Sequence, residues 1–331
     1  MRPSNPQEVL GLAKIDAFLV SNPLHIRYLS GVNPSVALLL ITPRRFVLFV
    51  DVHYRAEAEK NVRKGIYVRD IDDLERVMRE IKECGFESDH VTVLQKARWT
   101  RIFQNTKFVQ KTGVLQEFRR RKEKDELLCL RRAQRITHEM LRRVPSALRK
   151  EVTEEKLARQ LLVWALELGA DGLSFDPIVA FGTHTASPHH QPTSRSLQKG
   201  HLVQIDVGAK YRGYCADCSR VFFTVTPTDA QKKVYDILCD VQAKAVAATK
   251  AGASTAGLDK MARDMLRKHG LDKAFTHSLG HGVGLEIHEG PTLSSKRADS
   301  KLLPGEVVTI EPGVYFEGKF GMRVEDMVFV A

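Results

Sequence analysis

The ten-residue run Gly280–Glu289 (GHGVGLEIHE) constrains the fold of this chain more than any other stretch. Glycine occupies every second position from 280 to 284, and the histidines His281 and His288 lie within the run. Glycine has no Cβ atom, so such a run lets a second backbone or a ligand approach the chain closely. Taken alone, the run indicates either a metal site with two histidine ligands or an ordinary loop. The surrounding sequence has to distinguish between these interpretations.

Two segments of the C-terminal half predict β-hairpins that carry acidic residues. Residues 202–224 and 307–328 each contain an alternating strand, a turn and a returning strand. Pairing that is symmetric about residues 211 and 212, or about Gly318, places two acidic side chains opposite each other in each hairpin, although a β-bulge would shift the register. The two pairs are Asp206 with Asp217 and Glu311 with Glu325.

Acidic pairs of this kind need a counter-charge. Side chains directly opposite on antiparallel strands have Cβ atoms roughly 4.5–5.5 Å apart, and like charges repel at that distance. One pair could turn into solvent on an amphipathic hairpin, but two pairs beside the glycine-rich run favour bound dications. Four carboxylates and His281 supply a charge of about −4, which suits two metal ions and a bridging hydroxide.

A two-metal site predicts hydrolytic chemistry. Metals roughly 3.5–4 Å apart lower the pKa of a shared water and polarise a scissile carbonyl. The oxyanion that develops then needs hydrogen-bond donors, and the leaving nitrogen needs a proton. His189 and His288 are the candidate donors, and Glu311 is a candidate to relay the proton. The alternative for His189 is that it belongs to a polar loop pair with His190.

The patterning predicts two domains. Residues 1–118 alternate strand-like and helical runs, with a hairpin over 36–52, a helix over 72–84 and a short strand over 91–94, and they indicate a smaller α/β domain. An apolar stripe predicts a long helix over 119–143, which opens the second domain, 119–331. Further helices are predicted over 154–168, 229–250 and 256–268.

Composition excludes several classes of protein. The chain has 331 residues, of which 43% are hydrophobic and 27% charged, as in ordinary globular proteins. Its N-terminus lacks the apolar region of a signal peptide, and its longest apolar runs are too short to span a bilayer, so we expect a cytoplasmic protein without membrane association. Five irregularly spaced cysteines argue against a disulfide framework, and the isolated C-x-x-C at 215–218 has no second pair for a zinc site.

The net charge of +11 is partly concentrated in a basic linker, residues 119–135. Such a stretch could contact nucleic acid. Acidic residues are interspersed in it, however, and no aromatic residues alternate with the basic ones as binding to single strands requires. We therefore expect a solvated helix face, and we do not expect nucleic acid as a partner.

The C-terminal half resembles the "pita-bread" metallopeptidases, which include methionine aminopeptidase, aminopeptidase P and prolidase. The resemblance implies an α+β fold in which a pseudo-symmetric antiparallel sheet is flanked by helices. It rests on motifs that together cover every expected metal ligand. The motifs are IDVGA at 205–209, GYCADCSR at 213–220, HSLGHGVG at 277–284, IHE at 287–289, TIEPGVY at 309–315 and GMRVED at 321–326.

The resemblance implies a role for each site residue. Asp206 would bind one metal ion, His281 and Glu311 the other, and Asp217 and Glu325 would bridge the two. Mn²⁺ is the expected metal, with Co²⁺ or Zn²⁺ as alternatives. The residues expected on the substrate side are His189, His277, His288 and Arg323.

The N-terminal segment IDAFLV at 15–20, with NPLHIRYLSG at 22–31, looks like a creatinase-type domain, which accompanies peptidases that cleave Xaa-Pro bonds. The resemblance therefore implies proline-containing peptides as substrates and a homodimeric assembly. Dipeptidase-type members often carry an arginine shortly after the His-Glu motif, whereas Gly290–Thr292 follows it here, so we expect an aminopeptidase P rather than a prolidase. The remaining alternatives are a methionine aminopeptidase, which the N-terminal domain disfavours, and a non-catalytic binding module, which the complete ligand set disfavours.

Overall fold

The computed structural model describes residues 2–149 and 151–331. The chain forms two compact units, Met1–Arg119 and Arg120–Ala331. Among the described residues, no helix combines the length and apolar character needed to cross a membrane. All five cysteines are free thiols.

The first unit is a six-stranded mixed sheet with helices. Its strand order is β4-β3-β2-β1-β5-β6, and β2 and β3 form the predicted hairpin. The strands are β1 (Phe18–Val20), β2 (Ala37–Thr42), β3 (Arg45–Val50), β4 (Ile66–Asp70), β5 (Glu83–Glu87) and β6 (Lys107–Lys111). The helices are α1 (Pro6–Ala13), α2 (Pro23–Ser30), α3 (Val52–Asn61), α4 (Leu74–Met78), α5 (Val93–Ile102) and α6 (Val114–Arg120), the last of which crosses into the second unit.

In the second unit, one arrangement, a pair of helices packed on strands, occurs twice. Helices α7 (Lys124–Ala147) and α8 (Glu154–Glu167) share a hydrophobic core with β8 (Ile178–Phe181), β9 (Leu202–Val207) and β12 (Cys218–Phe223). Helices α9 (Asp229–Ala248) and α10 (Thr255–Arg267) share a second core with β14 (Glu289–Leu293) and β15 (Val307–Ile310). The other strands are β7 (Gly172–Leu173), β10 (Ala209–Tyr211), β11 (Tyr214–Cys215), β13 (Gly280–Gly282), β16 (Gly313–Phe316), β17 (Phe320–Arg323) and β18 (Asp326–Phe329).

This duplicated pair of helices on an antiparallel sheet confirms the predicted α+β pita-bread architecture. Strand order is β12-β9-β8 in one half and β14-β13-β15-β18 in the other. The predicted helices α8, α9 and α10 are present with ends shifted by at most two residues.

Three helix and strand predictions were wrong. The helix predicted over 119–143 is two helices, because Glu123 caps α7 and forms a capping box with Glu126, which an apolar periodicity cannot detect. The helix predicted over 72–84 ends at Met78, and β5 follows. The strand predicted over 91–94 is the start of α5, which the side chain of Thr92 caps by accepting a hydrogen bond from the Gln95 amide.

The two hairpin registers had different outcomes. In the first, Asp206 pairs with Ser219 rather than Asp217, so that prediction was wrong. The turn is centred on Arg212–Gly213, and both residues have positive φ (46° and 73°), as a two-residue hairpin turn requires. In the second, the pairs Ile310–Asp326 and Gly313–Arg323 bracket Glu311 and Glu325, and this confirms their predicted opposition.

Candidate active site

Every residue predicted for the site lines one cavity in the second unit, with a volume of about 480 Å³. Its walls come from both halves of the duplicated architecture. The predicted residues in the lining are His189, Asp206, Asp217, His277, His281, His288, Glu311, Arg323 and Glu325.

The first hairpin still brings its acids to the site, although its register differs from the prediction. A displacement of two residues leaves each side chain on the same face of the strand, since side chains alternate with a period of two. Asp206 lies on β9, and Asp217 directly precedes β12. Asp217, His281 and Glu325 offer ligand atoms that all lie within 4.8 Å of one another.

His281 presents one nitrogen to the carboxylates. Its Nδ1 lies 3.1 Å from the carbonyl oxygen of Gly282, and a ring nitrogen that faces a carbonyl must carry the proton. The lone pair is then on Nε2, which lies 3.6 Å from Oδ2 of Asp217 and 3.5 Å from Oε1 of Glu311. Burial, together with the neighbouring His288, lowers the pKa of His281 to about 4, so the ring is neutral at pH 7. A neutral imidazole with a free Nε2 is the form that binds a metal ion.

The carboxylates are held at high electrostatic cost. Burial, and then the charge of Glu325, raises the pKa of Asp217, and burial followed by Glu311 does the same for Glu325. Burial is also the main cause that raises the pKa of Glu311 to about 8, partly offset by Arg323. Negative charges this close are not compensated by the protein alone.

The donor set fits a pair of dications. The Oδ1 atoms of Asp206 and Asp217 are buried and accept no hydrogen bond from any described residue. Unsatisfied buried carboxylate oxygens are costly unless a cation binds them. Oxygen-rich sites with one imidazole suit Mn²⁺ and related dications.

Arg323 links the acids to the substrate side of the cavity. Its guanidinium donates to Oδ2 of Asp206, to Oγ of Ser219 at 2.8 Å and to the hydroxyl of Tyr315 at 2.6 Å. Tyr315 lies 3.1 Å from Nε2 of His277. Sequence reasoning did not single out Tyr315 as a site residue, although it lies in the TIEPGVY motif.

His277 is engaged through both ring nitrogens. Its Nδ1 faces the carbonyl oxygen of Ser278 at 2.9 Å, so Nδ1 carries the proton and Nε2 accepts from Tyr315. Burial, and then Arg323, lowers the pKa of His277 to about 4, which keeps the ring neutral. His277 therefore orients Tyr315 and Arg323 from the edge of the cavity. His288 is exposed, with its ring centroid 4.3 Å from that of His281.

The cavity also has an apolar wall that sequence reasoning missed. Phe175, Ile178 and Ile287 line it beside His189 and His288. Phe175 and Ile178 lie in no quoted motif, and although Ile287 lies in the IHE motif, isolated apolar side chains on strands and loops are ordinary core residues.

The glycines of the opening run serve close packing of the backbone. A Cβ atom at Gly280 would lie 1.9 Å from the carbonyl oxygen of Thr309 on β15. A Cβ atom at Gly284 would lie 2.2 Å from Oε1 of Glu289. These glycines let β13 approach its neighbour and leave room for the Glu289 carboxylate beside His288.

The basic linker supplies internal counter-charges. Nζ of Lys122 lies 2.8 Å from Oε1 of Glu289, and the two side chains are only 1% and 4% exposed. Arg120 forms an ion pair with Glu306, whose side chain is fully buried, at 2.7 Å. Part of the positive charge of the linker therefore forms ion pairs with buried acidic residues of the second unit and is not available on the surface to contact nucleic acid.

Comparisons with known proteins identify the family of the chain. Residues 128–331 match metallopeptidase family M24, and residues 3–121 match the creatinase/prolidase N-terminal domain. A Xaa-Pro dipeptidase of Pyrococcus horikoshii is 31% identical over 98% of this chain and 92% of its own length. Two solved structures are similar in fold and sequence. They are a Xaa-Pro dipeptidase from Bacillus anthracis (TM-score 0.95, 31% identity, 98% and 94% coverage) and an X-Pro aminopeptidase from Thermotoga maritima (TM-score 0.90, 34% identity, 97% and 94% coverage). The chain belongs to metallopeptidase family M24, with a creatinase/prolidase-type N-terminal domain.

Proposed function

We propose that this metallopeptidase hydrolyses the peptide bond before proline, releasing the N-terminal residue, when two divalent metal ions are bound. The observation that carries the proposal is the meeting of four acidic side chains and a neutral His281 in the cavity that also contains His189, His288 and Arg323. The similar proteins include Xaa-Pro dipeptidases and an X-Pro aminopeptidase, and this supports the substrate class.

The metal-binding roles follow the resemblance. Asp206 would hold one ion, His281 and Glu311 the other, and Asp217 and Glu325 both. Bound dications would supply a water of lowered pKa and a Lewis acid for the scissile carbonyl.

The protein's own side chains then bind substrate and move the proton. His189 and His288 donate N–H hydrogen bonds to the carbonyl oxygen as negative charge develops on it. A carboxylate oxygen of Glu311 takes the proton of the attacking water and passes it to the leaving proline nitrogen. Asp206, Ser219 and Tyr315 fix the guanidinium of Arg323 on the substrate side of the cavity.

The apolar wall suits proline. The Xaa-Pro bond is a tertiary amide without N–H and with a fixed φ, so a peptidase that grips an extended backbone by its amides binds it poorly. Phe175, Ile178 and Ile287 offer the pyrrolidine ring an apolar surface instead.

Two observations bear on the choice between aminopeptidase and dipeptidase. Thr292 lines the cavity two residues after Gly290, where an arginine could have bound a dipeptide's C-terminal carboxylate, and this favours longer peptides. Dipeptidase is the second candidate, because several similar proteins bear that name. The proposed assembly remains the homodimer that the resemblance implies, and light scattering tests it.

The test compares Ala-Pro, Ala-Pro-Ala and Met-Ala-Ser as substrates after loading with Mn²⁺, Co²⁺ or Zn²⁺, with an EDTA-treated sample as the control. We expect metal-dependent release of alanine from Ala-Pro-Ala. Cleavage of Ala-Pro alone would establish the dipeptidase instead, and release of methionine from Met-Ala-Ser with neither proline peptide cleaved would overturn the proposal. Asp217→Asn and Glu325→Gln should both abolish cleavage.

A further inference from the structure

A buried carboxylate outside the predicted metal ligands organises the segment that carries His189. Glu154 is the first residue of α8, and its side chain is fully buried. Its two oxygens accept five hydrogen bonds. Oε1 accepts from the Phe181 amide at 2.8 Å and from His184 Nδ1 at 2.9 Å, and Oε2 accepts from His190 Nε2 at 2.8 Å, the Thr193 amide at 3.0 Å and the Thr193 hydroxyl at 2.7 Å.

All five donors belong to residues 181–193, which leave the end of β8 and include His189. Without Glu154 this segment would have few fixed points, because residues 188–193 form no helix or strand. The rings of His184 and His190 also contact each other, with centroids 4.4 Å apart and their planes tilted by 39°. The buried side chain of Glu154 therefore forms hydrogen bonds with residues at both ends of the segment 181–193.

A second anchor holds the part of the segment that precedes His189. The Arg323 guanidinium donates to the carbonyl oxygen of Pro188 at 3.3 Å, and the Gly321 amide donates to the hydroxyl of Thr185 at 3.0 Å. In the sequence, His189 lies between Pro188, whose carbonyl oxygen Arg323 holds, and His190, whose ring Glu154 holds.

The cluster of Glu154, His184 and His190 has the composition of a metal site, but its hydrogen bonding indicates another role. Burial alone would raise the pKa of Glu154, yet the hydrogen bonds from His190 and Thr193 lower it, so the side chain is a carboxylate. N–H and O–H donors already occupy both oxygens of that carboxylate. A cation is not needed to satisfy it, and binding one would break the hydrogen bonds that hold the segment.

We propose that Glu154 is a positioning residue that sets the place of the His189 ring in the substrate cavity, by clamping His190 and Thr193 on one side while Arg323 holds Pro188 on the other. The catalytic part of this inference rests on the proposed function, because it takes His189 as a donor to the substrate. The clamp itself is a property of the fold and can be measured without substrate.

The test is Glu154→Gln, which keeps the shape of the side chain. Glutamine has a single acceptor oxygen, and its NH₂ group would face donors of the segment. We expect kcat/KM for Ala-Pro-Ala to fall by about 10- to 100-fold, mainly through kcat, because a displacement of the order of 1 Å costs that much. We also expect faster amide hydrogen exchange in residues 182–193 and unchanged Mn²⁺ affinity. The matched control is Glu155→Gln, since Glu155 is the next residue and its side chain is half exposed.

A double-mutant comparison separates positioning from a general loss of structure. If Glu154 acts through His189, then Glu154→Gln should change kcat/KM less than about twofold in a His189→Ala background. An equal loss in both backgrounds, or unchanged hydrogen exchange in 182–193, would overturn the proposal. A wild-type enzyme that cleaves no Xaa-Pro peptide would refute the proposed function, whereas the exchange measurement would still decide the clamp.

A milder variant keeps the test decisive if Glu154→Gln does not fold. His190→Asn removes one of the five donors and leaves the carboxylate with four. We expect a smaller loss of kcat and faster exchange confined to the residues around 189. Full activity with unchanged exchange in this variant would also overturn the proposal.

Discussion

The buried acidic side chains of the predicted metal centre should destabilise the protein when no metal is bound. The variant Asp217→Asn tests this prediction directly. The carboxyl group of Asp217 is buried, and burial together with Glu325 raises its pKa. Asparagine has nearly the same shape but carries no charge. The metal-free variant should therefore be more stable than the metal-free wild type at pH 8, whereas added Mn²⁺ should stabilise only the wild type.

The magnitude follows from the one site carboxyl whose raised pKa has a definite value. The pKa of Glu311 rises from 4.5 to about 8. At about 1.4 kcal/mol per pKa unit, this corresponds to about 5 kcal/mol of stability lost above pH 8 in the metal-free state. The pKa of the buried Asp217 carboxyl is raised for the same physical reasons, so replacing that carboxyl with a neutral amide should recover about 1–3 kcal/mol in the metal-free state. For a unit of the size of Arg120–Ala331, this raises Tm by roughly 2–10 °C.

The assay can follow the second unit alone. The chain has two tryptophans, Trp99 in the first unit and Trp164 in the second, so Trp164 fluorescence in a Trp99→Phe background reports the unit that contains the site. Thermal unfolding is recorded in EDTA at pH 8 and again with Mn²⁺. Binding at 100 times Kd would add about 2.7 kcal/mol to the wild type. Asp236→Asn is the matched control, because Asp236 is exposed and pairs with Lys232 on α9.

Either of two results would refute the predicted repulsion among the buried acids or the metal-binding role of Asp217. If metal-free Asp217→Asn unfolds at a lower temperature than the metal-free wild type, the acids do not repel one another as their burial requires. An equal Mn²⁺-induced rise in Tm for both proteins would likewise remove Asp217 from the metal site.

Three further predictions concern pH, the basic linker and the glycine-rich run. Because the folded-state pKa of Glu311 is raised to about 8, the contribution of Glu311 to metal-free stability should be complete below pH 4.5 and be lost as pH rises to about 8; the difference in urea denaturation between wild type and Glu311→Gln measures this, and a difference that does not change with pH would contradict it. Lys122→Met removes the ammonium group 2.8 Å from the buried Glu289 carboxylate and should lower the free energy of unfolding by about 3–5 kcal/mol, with Lys124→Met, at an exposed site, as the neutral control. Gly280→Ala places a methyl group 1.9 Å from a neighbouring carbonyl oxygen and should lower Tm and abolish Mn²⁺ binding in calorimetry; wild-type binding would show that β13 can shift without harm.

Local pattern was sufficient for much of the site. The Glu311–Glu325 opposition was predictable because the strand pairings on both sides of these residues keep one register, centred on the turn at Gly318. The glycines at 280, 282 and 284 predicted a close backbone contact, because a Cβ atom at these positions would prevent one. In the first hairpin the turn centre was misplaced, yet Asp206 and Asp217 stayed on one face, because an error of two residues preserves the alternation of a strand.

The sequence by itself determined the chemical inventory: the acidic residues, the one histidine predicted to be a metal ligand and the strands that carry them. Only the tertiary structure decided how those groups are held. The Glu154 clamp joins residues 27–39 positions apart, and Lys122 meets Glu289 across 167 positions of the chain. Pairings of this kind depend on which elements pack together, and a buried charge shows its partner only after the chain around it has folded. The run Gly280–Glu289 shows both sides of this division. Its composition predicts a close approach, but only the structure shows that His281 faces the carboxylates of Asp217 and Glu311, that His288 also lines the cavity, and that Glu289 is paired with Lys122.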